Sequence, residues 1–153
     1  MIDFNPSNII GIYSLHANSK LPCKQTQGAA CFDLYACSDD VITLAPDERA
    51  LIPTGLVFDI PKGYSVRIHT RSSWAAVKGI GLSVSEGIID SDYVDEVFVP
   101  MVNNTDKLFN IYSGDRIAQM ELVKTIPTEM KRITNCPEKR GGREGGFGST
   151  GVN

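Results

Sequence analysis

Short apolar segments rich in β-branched and aromatic residues recur along this chain, and turn residues separate them. They occupy Ile9–Leu15, Val41–Leu44, Ala50–Ile60, Tyr64–Ile68, Val97–Val102, Leu108–Tyr112 and Arg116–Val123. Only Trp74–Lys78 favours a helix, which Ser72 or Ser73 can cap at its start and Gly79 can end. Many short strands at close spacing, with almost no helical periodicity, predict an all-β sandwich, barrel or jelly roll.

Residue alternation predicts which side chains share one face of a strand. In Gly28–Ala36, Phe32 and Leu34 alternate with Asp33 and Tyr35. Because successive side chains of a strand point to opposite faces, we expect Asp33 and Tyr35 to lie opposite the apolar set.

Three further strand segments carry specific expectations. Pro100 cannot donate a ladder hydrogen bond, so its strand is expected at a sheet edge or at a bulge. The turn residues Pro53–Gly55 are expected to break Ala50–Ile60 into a pair of strands. Gln119 follows Arg116 by three residues, which predicts that the two side chains project from opposite faces.

Size and composition exclude several classes of protein. The 153 residues fit one domain, and 42% hydrophobic with 22% charged residues is typical of a soluble globular protein. No apolar run approaches the ~20 residues of a membrane span, and Met1–Asn8 has no basic start or long apolar centre, so neither a membrane partner nor a secretory signal is expected. A net charge of -3 argues against a protein that coats nucleic acid.

The four cysteines bear on metal binding and compartment. They are Cys23, Cys31, Cys37 and Cys136, and they form no C-x-x-C pair. A zinc site is therefore not expected. We expect buried free thiols in a reducing compartment, which is the cytoplasm or, for a viral protein, the interior of the host cell.

Glycine dominates the end of the chain. Between Arg140 and Gly151 there are six glycines, two arginines and one aromatic residue, Phe147. Such a segment does not pack as a regular element, so we expect a β domain over residues 1–138 and a mobile tail over residues 139–153. Three interpretations stay open: an inert linker, an Arg-Gly segment that binds single-stranded RNA, or a lid that closes over a ligand.

The stretch Ser83–Tyr93 is the first candidate for chemistry. Ile88 and Ile89 lead directly into Asp90 and Tyr93, so an acidic turn closes a strand that the core holds rigidly. A carboxylate on a rigid strand end can be aimed. The alternative is an ordinary turn, because short acidic side chains bond readily to their own backbone.

A second candidate lies at the start of the expected helix. Arg71, Ser72 and Ser73 stand where free backbone N–H groups favour an anion, and the arginine fork suits phosphate oxygens. The alternative is a plain capped helix with a solvated arginine. Gly114–Gln119 is a weaker candidate, since it also fits a tight turn with surface charges.

Five segments together resemble the five motifs of the trimeric dUTP pyrophosphatases, or dUTPases, in order and spacing. They are Ala29–Ala36, Arg71–Ala75, Gly87–Tyr93, Gly114–Gln119 and Gly145–Gly151. The resemblance implies a distorted jelly-roll-like β-barrel, a homotrimer, and three active sites at subunit contacts, each built from more than one chain. It also implies Mg²⁺-assisted hydrolysis of dUTP to dUMP and pyrophosphate, which keeps uracil out of DNA and supplies dUMP for dTMP synthesis.

For the nucleoside, the resemblance implies roles by position. Asp90 matches the carboxylate that activates the attacking water, and Tyr93 matches the ring under the deoxyribose. Phe147 matches the aromatic lid over the uracil. The segment that reads the uracil edge corresponds to Ser85, Glu86, Gly87 and Ile89.

For the triphosphate, the matching residues come from two motifs and the tail. They are Arg71, Ser72, Ser73, Gln119, Arg143, Ser149 and Thr150. The family's tail arginine usually stands where this chain has Gly142, so Arg143 is the nearest substitute. Asp33 matches the acid that holds Mg²⁺ through water, as suits a cation that keeps much of its hydration.

One departure from the family lies directly after Tyr93, and it is the basis for one of two alternative functions, the non-catalytic regulatory protein. The tyrosine is usually followed by a basic or polar residue and glycine, whereas Val94 and Asp95 follow Tyr93 here. Asp tolerates left-handed backbone better than most residues, so the turn is expected to survive. The alternatives are a non-catalytic dUTP-binding regulatory protein and a dCTP deaminase of the same fold, for which Glu86 is the local acid/base candidate.

Overall fold

The computed structural model describes residues 8–138, which form an almost entirely antiparallel β structure. The strands are β1 (Gly11–Ser14), β2 (Phe32–Tyr35), β3 (Ile42–Leu44), β4 (Arg49–Asp59), β5 (Tyr64–Thr70), β6 (Ile80–Leu82), β7 (Gly87–Ile89), β8 (Glu96–Asn103), β9 (Phe109–Ile111) and β10 (Arg116–Lys124). One short helix, Trp74–Lys78, lies between β5 and β6. The prediction of an all-β, jelly-roll-like fold with one short helix is confirmed.

Three sheets make up the fold. One has the order β1-β4-β8-β6, the second has the order β2-β10-β5-β7, and β3 pairs with β9 in a third. Alternation along each strand sends one face inward: in β8, Val97, Val99 and Met101 are fully buried, and the residues between them are not. The core that these faces share also includes Leu34, Ile52, Phe58, Ile68, Trp74, Ile111 and Ile117.

The turn residues in β4 do not divide it. The strand runs unbroken from Arg49 to Asp59, but its register with β8 shifts between Pro53 and Val57. At this irregularity the Thr54 hydroxyl donates to the Val97 carbonyl at 2.6 Å. The expected pair of strands is therefore wrong, because a bulge absorbs the irregular residues within one ladder.

Pro100 lies in an interior strand and in regular register with β4, which contradicts the expectation of an edge or a bulge. β8 is flanked by β4 and β6, and Pro100 is opposite Leu51 of β4. The Pro100 carbonyl accepts from the backbone N–H of Ser83, just after β6 ends. In an antiparallel pair the N–H and C=O of one residue face the same neighbour, so the missing donor faces the end of β6, where regular pairing has stopped.

The short helix is a single π-helical turn. Gly79 ends it in the left-handed region (φ 69°) and donates its N–H to the Trp74 carbonyl, as expected. The expected cap by Ser73 is wrong: Ser73 is itself helical and makes no side-chain cap hydrogen bond. Trp74 fixes the helix instead, since its buried indole meets Phe109 edge-on at 5.3 Å between ring centroids.

All four cysteines are free thiols, but only Cys37 is buried. Cys23 and Cys136 are exposed, so the expected burial is wrong for them. Burial raises the pKa of the Cys37 thiol, and the negative charges of Glu96 and Asp39 add to the effect. Between residues 8 and 138, none of the helical structure has the length and apolar character needed to cross a membrane.

Candidate active site

A buried carboxylate held by two arginines lies at the centre of the first candidate site. Asp33 projects from β2 opposite the core, as alternation predicts, yet it is only 8% exposed. Arg71 Nε lies 3.3 Å from Asp33 Oδ1, and Arg116 Nη1 lies 3.2 Å from Oδ2. Arg71 also donates from Nη1 to the Arg116 carbonyl at 2.9 Å, so the arginine is held at two points.

A β-bulge brings Arg116 and Gln119 to one face. The pairing of β10 with β2 shifts register between Arg116 and Ala118, and Gln119 then lies opposite Asp33. The extra residue changes the parity of the strand, so both side chains line the same cavity as Asp33. The prediction that Arg116 and Gln119 project from opposite faces is therefore wrong.

These side chains line a cavity of about 450 Å³. Five residues singled out from the sequence meet in it: Asp33, Arg71, Ser72, Ser73 and Gln119. Sequence reasoning assigned no role to the other five lining residues. Gln25 lies outside every segment it singled out, whereas the rest lie within Ala29–Ala36 and Gly114–Gln119: Ala29, Ala30, Cys31 and Arg116. A surface charge is the alternative interpretation of Arg116, and its ion pair with Asp33, a residue far away in sequence, reveals its place in the cavity.

The cavity is built to receive an anion. Two guanidinium groups face one carboxylate, and Gln25, Ser72 and Ser73 add neutral polar groups to the lining. Arginine forks and amide or hydroxyl groups match phosphate oxygens well. The Cys31 thiol at the rim has a raised pKa, first through burial and then through the charges of Glu121 and Asp33, against a smaller opposing effect of Lys24.

Asp90 and Tyr93 belong to a second cavity, of about 320 Å³. Its other lining residues are Leu51, Ile68, Gly87, Ile88, Ile89, Phe98 and Pro100. The cavity is thus apolar on most sides, with an exposed carboxylate at its rim. An apolar slot of this kind suits a planar ring and a sugar better than it suits phosphates.

The acidic turn holds Tyr93 by two hydrogen bonds. Its backbone N–H donates to the Asp90 carbonyl at 3.1 Å, and its hydroxyl donates to the Glu96 carbonyl at 2.8 Å. Asp95 does not take left-handed backbone: the one non-glycine residue with positive φ between residues 8 and 138 is Asp47. The turn after Tyr93 therefore forms without the conformation that was expected of Asp95.

The remaining candidates for reading a base lie around β7. Among residues 8–138, this strand is at the edge of its sheet and pairs only with β5, so no described strand occupies its other edge. Gly87 and Ile89 line the second cavity, whereas the exposed Ser85 and the half-buried Glu86 do not. Glu86 instead meets Arg67 at 2.9 Å.

The two cavities have no lining residue in common. The candidates of the tail, Arg143, Phe147, Ser149 and Thr150, lie outside the described residues. One chain therefore offers an anion-binding cavity and a separate apolar slot with a carboxylate.

Comparison with known proteins gives one family. A family model described as dUTPase matches residues 17–151. A deoxyuridine 5'-triphosphate nucleotidohydrolase of Roseobacter denitrificans is 47% identical over 132 residues, which is 86% of each chain. The enzyme of the same name from Hydrogenobaculum is 39% identical over 144 residues, covering 92% of this chain and 96% of its own.

Solved structures agree in fold. The dUTPase of Staphylococcus bacteriophage 80alpha with dUpNHpp has a TM-score of 0.83 at 23% identity, covering 95% of this chain and 99% of its own. A mutant dUTPase from phage phi11 of S. aureus, whose structure reveals the coordination of a structural Mg(II) ion, has a TM-score of 0.76 at 20% identity, covering 86% and 100%. With the family model matching most of the sequence, the chain is a member of the dUTPase family.

Proposed function

We propose that this chain hydrolyses dUTP to dUMP and pyrophosphate. Membership of the dUTPase family and relatives named deoxyuridine 5'-triphosphate nucleotidohydrolase support this activity. The observation that carries it is the pairing of an arginine-lined polar cavity with an apolar slot that ends in a carboxylate. The polar cavity matches the triphosphate end of a nucleoside triphosphate, and the apolar slot matches its nucleoside end.

The polar cavity is proposed to hold the triphosphate. Arg71 has a guanidinium that Asp33 and the Arg116 carbonyl already orient, so little freedom is lost when it binds an anion. Ser72 and Ser73 add hydroxyl donors. Gln119 donates from Nε2 to the Thr70 carbonyl at 3.2 Å, which fixes its amide beside the cavity.

The apolar slot is proposed to hold the deoxynucleoside. The Tyr93 ring would lie under the deoxyribose and leave no room for a 2′-hydroxyl, and the backbone from Ser85 through Gly87 to Ile89 would read the uracil edge. A backbone edge suits this task because its alternating donors and acceptors are fixed by the sheet. A base that does not fit would leave buried polar groups without hydrogen-bond partners, and this cost discriminates strongly against bases other than uracil.

Asp90 is proposed as the general base. The attacking water loses its proton to the carboxylate as its oxygen forms a bond to the α-phosphorus, and the bond from that phosphorus to the bridging oxygen breaks to release pyrophosphate. The turn that carries Asp90 is closed by Tyr93, so the carboxylate lies on a defined strand end. Positioning of this kind supplies much of the rate in phosphoryl transfer.

The residues fit a Mg²⁺ ion that is held through water. Each Asp33 oxygen contacts one arginine, and a carboxylate oxygen has a second lone pair that can accept from a metal-bound water. No cluster of three His, Cys, Asp or Glu ligands exists between residues 8 and 138, as suits an ion that phosphate oxygens and waters mainly coordinate. When bound, Mg²⁺ would neutralise charge on the triphosphate.

A homotrimer with shared sites is part of the proposal. The two cavities of one chain have separate linings, so the slot of one subunit would meet the polar cavity of another. Residues 139–153 would form a lid, with Phe147 over the uracil and with Arg143, Ser149 and Thr150 on the terminal phosphate. The enzyme would work in the cytoplasm, or inside the host cell if it is viral.

A turnover panel of dUTP, dCTP, dTTP and UTP with Mg²⁺ tests the proposed function. We expect dUMP and pyrophosphate from dUTP alone. Ammonia release from dCTP would instead indicate a deaminase, although Glu86, its candidate acid/base group, is engaged with Arg67 and His69. Tight dUTP binding without turnover would indicate a regulatory protein.

A further inference from the structure

Four charged or titratable side chains form a cluster outside both cavities, on the outer face of the second sheet. Arg67 Nη1 lies 2.9 Å from Glu86 Oε2, and His69 Nδ1 lies 3.6 Å from Glu86 Oε1. On its other side, His69 Nε2 lies 3.1 Å from Glu121 Oε1. The contacts therefore link Glu86, which directly precedes β7, to β5, and β5 to Glu121 on β10.

The strand next to this cluster needs an anchor. β7 has three residues and one neighbour, β5, so few ladder hydrogen bonds fix its position. Gly87 lies opposite Ile68, and a Cβ at Gly87 would come within 3.0 Å of the Ile68 Cβ. Glycine thus allows close pairing, but it provides no side-chain contact to hold the strand.

Glu86 supplies the missing side-chain contact. It precedes Gly87 directly, and each of its carboxylate oxygens faces a group on β5. Both ion-pair partners are about two-thirds buried, with 29% exposure for Arg67 and 37% for Glu86. A partly desolvated, hydrogen-bonded pair restricts its residues more than an exposed pair does.

We infer that Glu86, held by Arg67 and His69, is a positioning residue that fixes the base-reading edge of β7 and so contributes to the selection of uracil. The inference rests on the proposed function, in which that edge reads the base. Backbone groups discriminate between pyrimidines only when they are held in place, since a displacement of about 1 Å is enough to weaken such contacts greatly. Loosening β7 therefore weakens the recognition of dUTP most, because Asp90 lies beyond the strand in a turn that the Tyr93 N–H closes separately.

Steady-state kinetics of Glu86→Gln test this inference. The variant keeps the size of the side chain and removes its charge. We expect KM for dUTP to rise about fivefold while kcat stays within about twofold, as fits the loss of one half-exposed ion pair. The inhibition constant of dCTP should stay unchanged. The ratio of that constant to KM for dUTP, which measures the preference for uracil, should therefore decrease.

The Arg67→Met variant and the Arg67→Met/Glu86→Gln double variant complete the test. We expect the double variant to raise KM no more than either single variant, because all three break the same contact. Arg67→Met also serves if Glu86→Gln does not fold. Asp106→Asn, an exposed acid in the β8–β9 connection, is the matched control and should keep the wild-type KM.

Two results would overturn the inference. One is that Glu86→Gln and Arg67→Met both fold and keep the wild-type KM for dUTP and the wild-type inhibition constant of dCTP. The other is that kcat alone falls and the melting temperature falls with it, which indicates a purely structural contact. Failure of the wild-type protein to hydrolyse dUTP would instead refute the proposed function.

Discussion

Asp33 of β2 and Gln119 of β10 lie directly opposite each other across an antiparallel pair, one residue beyond a register shift. Without the shift, Gln119 would point into the core and Arg116 alone would reach the cavity. The bulge thus places the Gln119 amide on the same face as the Arg116 guanidinium, which together with Arg71 contacts the buried Asp33 carboxylate. Bulges beside active sites commonly re-aim side chains in this way.

The first prediction concerns Asp33. Asp33→Asn removes the charge that holds Arg71 and Arg116, so we expect dUTP turnover to fall about 10- to 100-fold, as when an orienting partner is lost. The free energy of unfolding should fall by about 1.5–3 kcal/mol, the range for hydrogen bonds to charged groups. Progress curves and urea denaturation measure the two effects.

Asp39→Asn is the control for that variant, since Asp39 is exposed and lies outside both cavities. It should match the wild type in rate and stability. Wild-type turnover by Asp33→Asn would show that Arg71 does not depend on this carboxylate.

The second prediction concerns Asp90. Asp90→Asn keeps the shape of the side chain but cannot accept the proton of the water, so kcat should fall about 10²- to 10⁴-fold. Binding of a non-hydrolysable dUTP analogue, measured by calorimetry, should stay within a few-fold of the wild type. Asp92→Asn, in the same turn, is the matched control and should retain activity. If both variants behave alike, Asp90 is not the base.

Local patterns predicted much of this fold and of the candidate site. Alternation correctly placed Leu34 in the core but not Phe32, which is 37% exposed, and glycine chemistry predicted the end of the short helix at Gly79. The resemblance to the dUTPase motifs assigned Arg71, Gln119 and Asp33 to one site without any information on their contacts. These features depend on a few neighbouring residues or on a known pattern.

Features that depend on distant parts of the chain were missed. The bulge that turns Gln119 toward the cavity depends on how β10 pairs with β2, and no local signal marks it. An edge or a bulge was expected for Pro100 because proline lacks an N–H. The interior position is allowed because β6 ends where that N–H would have paired, and the end of β6 is not visible in the sequence around Pro100. Arg116 looked like a surface charge because its partner, Asp33, is 83 residues away.

The third prediction follows from the separate linings of the two cavities. If each active site takes its cavities from different subunits, mixed trimers of Asp33→Asn and Asp90→Asn should regain activity. In a 1:1 mixture, about a quarter of the sites combine two intact cavities. Activity after co-expression, or after unfolding and refolding of the mixture, checks this.

A mixture of Asp90→Asn with Tyr93→Ala is the control for complementation. Both changes lie in the same cavity, so no combination of subunits restores it. No recovery in the first mixture despite confirmed trimers would indicate that each site lies within one chain. Recovery in the control would show that the regained activity does not come from combining the two cavities.

The fourth prediction concerns the pH dependence of thiol labelling. Burial raises the pKa of Cys37, so its thiolate, the reactive form, is scarce at pH 8. Cys136 is exposed and should react with iodoacetamide at least about tenfold faster. The labelling rate of Cys37 should increase as the pH rises above 9, and unfolding in urea should make the labelling rates of Cys37 and Cys136 equal. Mass spectrometry of peptides measures both, and equal rates in the folded protein would contradict the burial of Cys37.

The fifth prediction concerns the bulge in β4. Gly55 has φ +67°, and a Cβ there would lie 2.9 Å from Cys37 Sγ and 3.0 Å from Ser19 Cβ. Gly55→Ala therefore meets both backbone strain and a clash, and the strain alone costs about 1–2 kcal/mol. Gly28→Ala is the matched control, because nothing lies within 4 Å of a Cβ at that position. Urea midpoints should show a clear loss for Gly55→Ala and little change for Gly28→Ala; equal midpoints would mean that the bulge relaxes to accept a side chain.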